Sequence, residues 1–289
     1  MQIITEYLSE DKEVTLTGYI QTPSEEMASV AVKPAVLVLP GGAYLFTSDR
    51  EAEPIALAYA AHGFQAFVLR YSTSKHANGL KPLGEASAAI GLIRKNADKW
   101  HVIPDRIITC GFSAGGHLSA WVGLCGENKP DGMITCYPAF ELFNRDSPSD
   151  HNVVVDALLG SDYSPEDAEA LNLSNYVKPD SIPMFCWSTV EDAIIKPSAV
   201  LDFAKAYAVA GRPFELHLYQ YGEHGLALAN HLTANGRKAM VEPQSESWLD
   251  MSVKWFYSNF GEPVIDDKPH EFIPGLLPDE VTQRLASTK

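Results

Sequence analysis

Short, uninterrupted apolar runs recur along this chain, each parted from the next by a stretch with helical spacing. Residues 35–39, 64–69, 107–110, 133–136 and 184–187 are too short for buried helices and too apolar for half-exposed strands, so they read as strands covered on both faces. Between them, 52–61, 83–99, 117–124 and 198–210 read as helices, with Gly63 and Gly211 as C-terminal stops. Strand alternating with helix predicts an α/β chain: a mostly parallel sheet with helices on both faces. Residues 14–20 alternate in polarity and follow an apolar stretch over 3–8 and a polar turn, which predicts an antiparallel hairpin at the sheet edge. A last strand is expected over 214–221.

With 289 residues, 46% of them hydrophobic, the chain can bury one large core, and we read residues 1–261 as a single domain. A net charge of −15 argues against nucleic acid or an anionic membrane as partner and suits a neutral or cationic small molecule. The acidic start Met1-Gln2-Ile3-Ile4-Thr5-Glu6 carries no secretory leader and no run is long enough to span a membrane, so a cytoplasmic location is expected. Cys110, Cys125, Cys136 and Cys186 lie mostly in apolar segments without metal-ligand spacing and read as buried thiols, although an even count leaves disulfides open. Neither a P-loop nor a His-x-x-x-His pair occurs, and no cofactor or metal is expected.

In a parallel sheet the ligand meets the carboxyl ends of the strands. Four such ends carry reactive or permissive residues: Pro40-Gly41-Gly42-Ala43-Tyr44, Gly111-Phe112-Ser113-Ala114-Gly115, Ser188-Thr189-Val190-Glu191-Asp192 and Gly222-Glu223-His224-Gly225. The second is a Gly-x-Ser-x-Gly turn between strand and helix, which strains the serine backbone and projects its hydroxyl above the sheet. A serine hydroxyl is a poor nucleophile at neutral pH, so it needs a base and a group to orient that base. His224 and Asp192 follow Ser113 in the chain order this turn predicts. Glu191 is adjacent, but Asp192 is shorter and precedes the apolar Ala193-Ile194-Ile195. The N–H of Ala114, with those of Gly42 and Ala43, is expected to face a developing oxyanion. His117, on the first turn of the following helix, is expected to brace the elbow.

These patches, with Ser48-Asp49-Arg50-Glu51-Ala52-Glu53-Pro54, Leu69-Arg70-Tyr71-Ser72 and Glu223-His224-Gly225-Leu226-Ala227-Leu228, span residues 35–260. Over them the chain resembles α/β-hydrolase carboxylesterases, in particular small bacterial acetyl esterases and acetylxylan-esterase-like proteins related to the hormone-sensitive-lipase group. The resemblance implies an α/β-hydrolase fold with an eight-stranded, mostly parallel sheet and a small cap insertion. It also implies hydrolysis of short-chain esters, acetyl groups on sugars or xylo-oligosaccharides among them. Two departures stand out: Pro40-Gly41-Gly42-Ala43 replaces the lipase group's His-Gly-Gly-Gly, and Phe112 stands where that group often has an acid. The cap corresponds to 139–182, whose modest length and many acids and prolines suit a compact pocket for acetyl to butyryl groups. Tyr44, Arg50 and Tyr71 are candidates to contact the substrate, simple packing being the alternative for tyrosines at strand ends. Residues 262–289 carry four prolines and the apolar Phe272, Ile273, Leu276 and Leu277, either a docking or subunit-contact segment of a homo-oligomer or a disordered terminus. Rival functions are a serine peptidase of the prolyl-oligopeptidase type, which needs more chain for its propeller, and a catalytically dead hydrolase used for binding.

Overall fold

The computed structural model describes residues 1–143 and 152–263, with Gln283 beyond them. Eight strands form one sheet: β1 (Gln2–Tyr7), β2 (Thr15–Ile20), β3 (Lys33–Leu39), β4 (Gln65–Arg70), β5 (Val102–Phe112), β6 (Gly132–Cys136), β7 (Met184–Thr189) and β8 (Phe214–Tyr219), in the order β1-β2-β4-β3-β5-β6-β7-β8. The first two strands form the expected hairpin and β2 pairs antiparallel with β4, while all remaining pairs are parallel. Strand β5 begins earlier than its apolar run suggests. A register shift between Lys33 and Ala35 lets Val102 pair with Lys33, drawing the polar Asp105 and Arg106 into the strand.

Among the described residues eight α-helices accompany the strands: α1 (Glu53–Ala61), α2 (Lys81–Lys95), α3 (Ala114–Cys125), α4 (Val153–Leu159), α5 (Pro165–Glu169), α6 (Pro197–Val209), α7 (Pro243–Glu246) and α8 (Trp248–Phe260). Successive side chains of a strand point to opposite faces, and the core divides accordingly. Ala35, Leu37 and Leu39 of β3 pack with Ile90, Ile93, Leu118 and Phe203 of α2, α3 and α6. Val36 and Val38 pack with Ile55, Tyr59, Val253 and Phe256 of α1 and α8 on the other face.

Two helices also depart from the sequence expectation. Helix α3 starts at Ala114, taking two glycines into its first turn, because only glycine fits there: a Cβ at Gly115 would run into the Leu39 carbonyl oxygen. Helix α8 was not expected, being rich in aromatic residues with middling helix propensity. Packing of Trp248, Val253, Trp255 and Phe256 against the sheet decides it. The insertion between β6 and β7 carries α4 and α5, whereas 144–151 and, Gln283 apart, the tail from 264 onward lie outside the described residues. Cys110, Cys136 and Cys186 are buried free thiols, but Cys125 is exposed, at the last position of α3. Among the described residues, no helix is long and apolar enough to cross a membrane.

Candidate active site

Strand β5 ends at Phe112, and the chain turns into α3 through Ser113 alone. Ser113 has φ 52° and ψ −116°, a region that L-residues avoid at a cost of about 1–3 kcal/mol unless their surroundings hold them. Here the Ser113 N–H donates to the Cys136 carbonyl at 3.0 Å and its carbonyl accepts from His117 N–H at 3.0 Å, which fixes the turn from both sides. A Cβ at Gly111 would strike the Gly115 carbonyl, so the glycines flanking the serine let strand and helix approach across the turn.

His224 reaches Ser113 from the loop after β8, 111 residues on. Its Nε2 lies 2.8 Å from Ser113 Oγ and its Nδ1 lies 2.7 Å from Asp192 Oδ2. Asp192, in the loop after β7, accepts on its other oxygen from the N–H groups of Ile194 at 2.9 Å and Ile195 at 2.8 Å. A carboxylate satisfied in this way has only Oδ2 left for the imidazole, and it requires a proton on Nδ1. Nε2 is then free to accept the Ser113 hydroxyl proton. The Asp192 side chain is 0% exposed and that of His224 13% exposed, so the buried end is the acid and the open end is the serine. Glu191 points elsewhere: it is exposed and accepts from Gly222 N–H at 3.2 Å.

The loop after β3 stands beside the serine. Gly42 (φ 132°), Ala43 (φ 55°) and Tyr44 (φ 58°) all have positive φ, and a Cβ at Gly42 would strike the Phe46 carbonyl. The turn is pinned by Leu45 N–H to the Gly42 carbonyl at 2.8 Å and Ser74 N–H to the Tyr44 carbonyl at 2.6 Å. Among the described residues, the N–H groups of Gly42 and Ala43 have no protein acceptor. Nor has the N–H of Ala114, which as the first residue of α3 lacks an intrahelical acceptor.

Of the three residues suggested as substrate contacts, the two tyrosines turn inwards and Arg50 is engaged with main-chain carbonyls. Tyr44 is wholly buried and Tyr71 is 3% exposed, so neither presents a surface to a substrate. The Tyr71 hydroxyl donates to the Pro40 carbonyl at 2.5 Å and supports the loop from beneath. Tyr44 meets His117 Nδ1 at 2.8 Å, and His117 Nε2 meets the Leu171 carbonyl at 2.8 Å. A carbonyl only accepts, so the proton sits on Nε2, and Nδ1 accepts from the tyrosine. Burial pushes the His117 pKa down to about 4, against the raising effect of Leu171, and the ring is neutral. His117 thus braces the loop after β3 against the insertion. Arg50 donates to the carbonyls of Gly225 at 2.6 Å and Thr233 at 2.9 Å, which clamps the loop bearing His224.

Two residues of this neighbourhood were not singled out from sequence. Tyr137, just beyond β6, sets its ring edge-on to His224 with centroids 5.1 Å apart. Its hydroxyl donates at 2.7 Å to Glu51, a carboxyl that is 4% exposed and also accepts from Gly41 N–H at 2.8 Å. Burial raises the Glu51 pKa above its ordinary value, opposed by those two donors and by the nearby His224 and Arg50. The strand-end rule points to Tyr137. Nothing local marks Glu51. Among the described residues, no group of three or more His, Cys, Asp or Glu side chains is arranged to hold a metal ion.

A parallel sheet with a strained serine between strand and helix, and a histidine and a buried acid in file behind it, defines the α/β-hydrolase fold. Within that fold the chain belongs to the BD-FAE family, whose profile matches residues 20–207. It is 31% identical over 211 residues to the endo-1,4-beta-xylanase B of Butyrivibrio fibrisolvens, covering 68% of this chain and 33% of that protein. It is 26% identical over 198 residues to the acetylxylan esterase of Xylanibacter ruminicola, covering 66% and 40%. The chain therefore spans well under half the length of these curated relatives. Among solved structures, an α/β-hydrolase enzyme from a Medee basin deep-sea metagenome is 36% identical with a TM-score of 0.76, covering 89% of this chain and 97% of the other. The acetyl ester-xyloside bifunctional hydrolase of Caldicellulosiruptor lactoaceticus is 29% identical with a TM-score of 0.74, covering 90% and 97%.

Proposed function

We propose that this protein is a serine carboxylesterase that removes short acyl groups, acetyl to butyryl, from small neutral alcohols, with acetylated xylo-oligosaccharides as the favoured class. The observation that carries the reading is the unbroken file from Asp192 through His224 to Ser113, at 2.7 and 2.8 Å. In this reading Ser113 Oγ attacks the ester carbonyl while His224 Nε2 takes its proton. Asp192 holds the imidazole in the required tautomer and stabilises the imidazolium that forms. The N–H groups of Ala114, Gly42 and Ala43 receive the oxyanion, each donor contributing about 3–4 kcal/mol to lowering the barrier. His224 then returns the proton to the departing alcohol, and water releases the acyl group by the same steps in reverse.

The methyl of Ala43 beside the donors favours a small acyl group, and the described parts of the insertion, 139–143 and 152–182, act as the cap over the pocket. The sugar-ester class is supported by the names of the acetylxylan esterase and the acetyl ester-xyloside hydrolase that the chain resembles. A panel of p-nitrophenyl acetate, butyrate and decanoate beside acetylated xylo-oligosaccharides tests the substrate. Fluorophosphonate labelling with mass spectrometry locates the nucleophile. Activity highest on acetyl esters and an adduct on Ser113 are expected. A preference for decanoate, or an adduct elsewhere, overturns the reading.

A further inference from the structure

A second hydrogen-bonded file runs behind the first and ends on Glu51. Ala227 N–H donates to the Tyr137 hydroxyl at 2.9 Å, Tyr137 O–H donates to Glu51 Oε1 at 2.7 Å, and Gly41 N–H donates to Glu51 Oε2 at 2.8 Å. The donors all run one way. A peptide N–H cannot accept, and the tyrosine, having accepted from Ala227, has only its own proton to give. Both carboxyl oxygens therefore face donors, which is the pattern of an ionised carboxylate.

We propose that Glu51 is a positioning residue for ester hydrolysis: its carboxylate fixes the Gly41–Ala43 donor loop and sets a negative charge behind the His224 ring as that ring takes the Ser113 proton. Three observations support it. A Cβ at Gly41 would lie 2.7 Å from Glu51 Oε2 and 3.0 Å from Ser113 Cβ, so one glycine separates the carboxylate from the nucleophile. Tyr137 bonds Glu51 through its hydroxyl and presents its ring to His224. One cluster of bonds joins three loops, those after β3, β6 and β8, each of which bears on the serine.

The other groups around His224 are accounted for. Asp192 holds Nδ1, Ser113 meets Nε2, and Arg50 binds the adjoining Gly225 carbonyl. Glu191 serves Gly222 N–H, and Glu223 is engaged with Arg237 at 2.6 Å on the exposed side. The Glu51 side itself is faced by Tyr137, Tyr71 and Arg50. Glu51 is thus the second buried carboxylate, after Asp192, to feel the charge on this imidazole.

The inference rests on the esterase reading, and the test keeps the two apart. Wild type is first shown to hydrolyse p-nitrophenyl acetate and to label on Ser113; failure there sinks the esterase reading itself. Glu51→Gln is then compared per active site, counted by end-point fluorophosphonate titration so that misfolded molecules drop out. The expected result is a kcat lowered about 10- to 100-fold with KM little changed, and an acid limb of kcat/KM moved down by about half a pH unit or more, because the imidazolium has lost a negative neighbour. A merely structural role lowers the titratable fraction and leaves the limb in place. Equal kcat and an unmoved limb overturn the proposal. Should Glu51→Gln yield no titratable enzyme, Tyr137→Phe gives a second readout: with one donor fewer, Glu51 keeps its proton to higher pH and the imidazolium again loses part of its negative neighbour, so the limb moves down in the same sense, and an unmoved limb again overturns it.

Discussion

Replacing Asp192 by asparagine keeps the shape of the buried acid and inverts the logic of the histidine it holds. The Asp192 Oδ1 atom accepts from Ile194 and Ile195 N–H groups at 2.9 and 2.8 Å. In Asp192→Asn the amide oxygen keeps that place, because turning the NH2 group towards two N–H donors costs about 1–3 kcal/mol for each donor left unpaired. The NH2 group then faces His224 Nδ1, which must give up its proton, and the proton moves to Nε2, facing Ser113. A ring in that tautomer donates to the serine and cannot accept from it. With the imidazolium also losing its counter-charge, the barrier rises by about 5.4 kcal/mol, a loss of kcat of about ten-thousandfold at ~1.36 kcal/mol per decade. The assay is p-nitrophenyl acetate turnover at pH 7, with circular dichroism confirming the fold. A folded Asp192→Asn variant within tenfold of wild type overturns this assignment of the acid.

Glu191→Gln, which alters only an exposed side chain and its 3.2 Å bond to Gly222, is expected to change kcat less than about threefold; a larger loss than in Asp192→Asn reverses the two roles. Gly115→Ala drives a methyl into the Leu39 carbonyl and is expected to destabilise by about 3 kcal/mol or more, read as a lower urea midpoint. His117 is held neutral by burial, its pKa near 4 lying below the unfolded value of about 6.5, so the unfolded chain binds the extra proton between these limits. Its contribution is complete above about pH 6.5 and is lost as pH falls towards 4, a drop of about 3 kcal/mol that His117→Gln removes. Urea unfolding at pH 7 and pH 4.5 checks this, and equal pH slopes in the two proteins contradict it.

The sheet was legible because its strands are covered on both faces, and continuous apolar runs such as Val36-Leu37-Val38-Leu39 admit few other readings. Ser113, Asp192 and His224 were legible as a group because each follows the carboxyl end of a strand, where the fold collects its loops. Tyr44 and Tyr71 occupy equally suggestive positions yet turn inwards. Which way a side chain leaves a loop is set by distant partners, here His117 and the Pro40 carbonyl, and no local pattern records them. Glu51 was hidden for the same reason: its burial depends on Tyr137, 86 residues away. Helix α8 escaped notice because tertiary packing, rather than propensity, holds its aromatic residues in helical form.

The joint between His117 and the insertion has a consequence for how such a molecule can diversify. The imidazole grips Leu171 through its main-chain oxygen, so any side chain at that position can supply the same handhold. Side chains along the insertion can therefore change while the strut beneath the loop after β3 stays unaltered. Two parts of the fold are mechanically joined here, yet their sequences are separable.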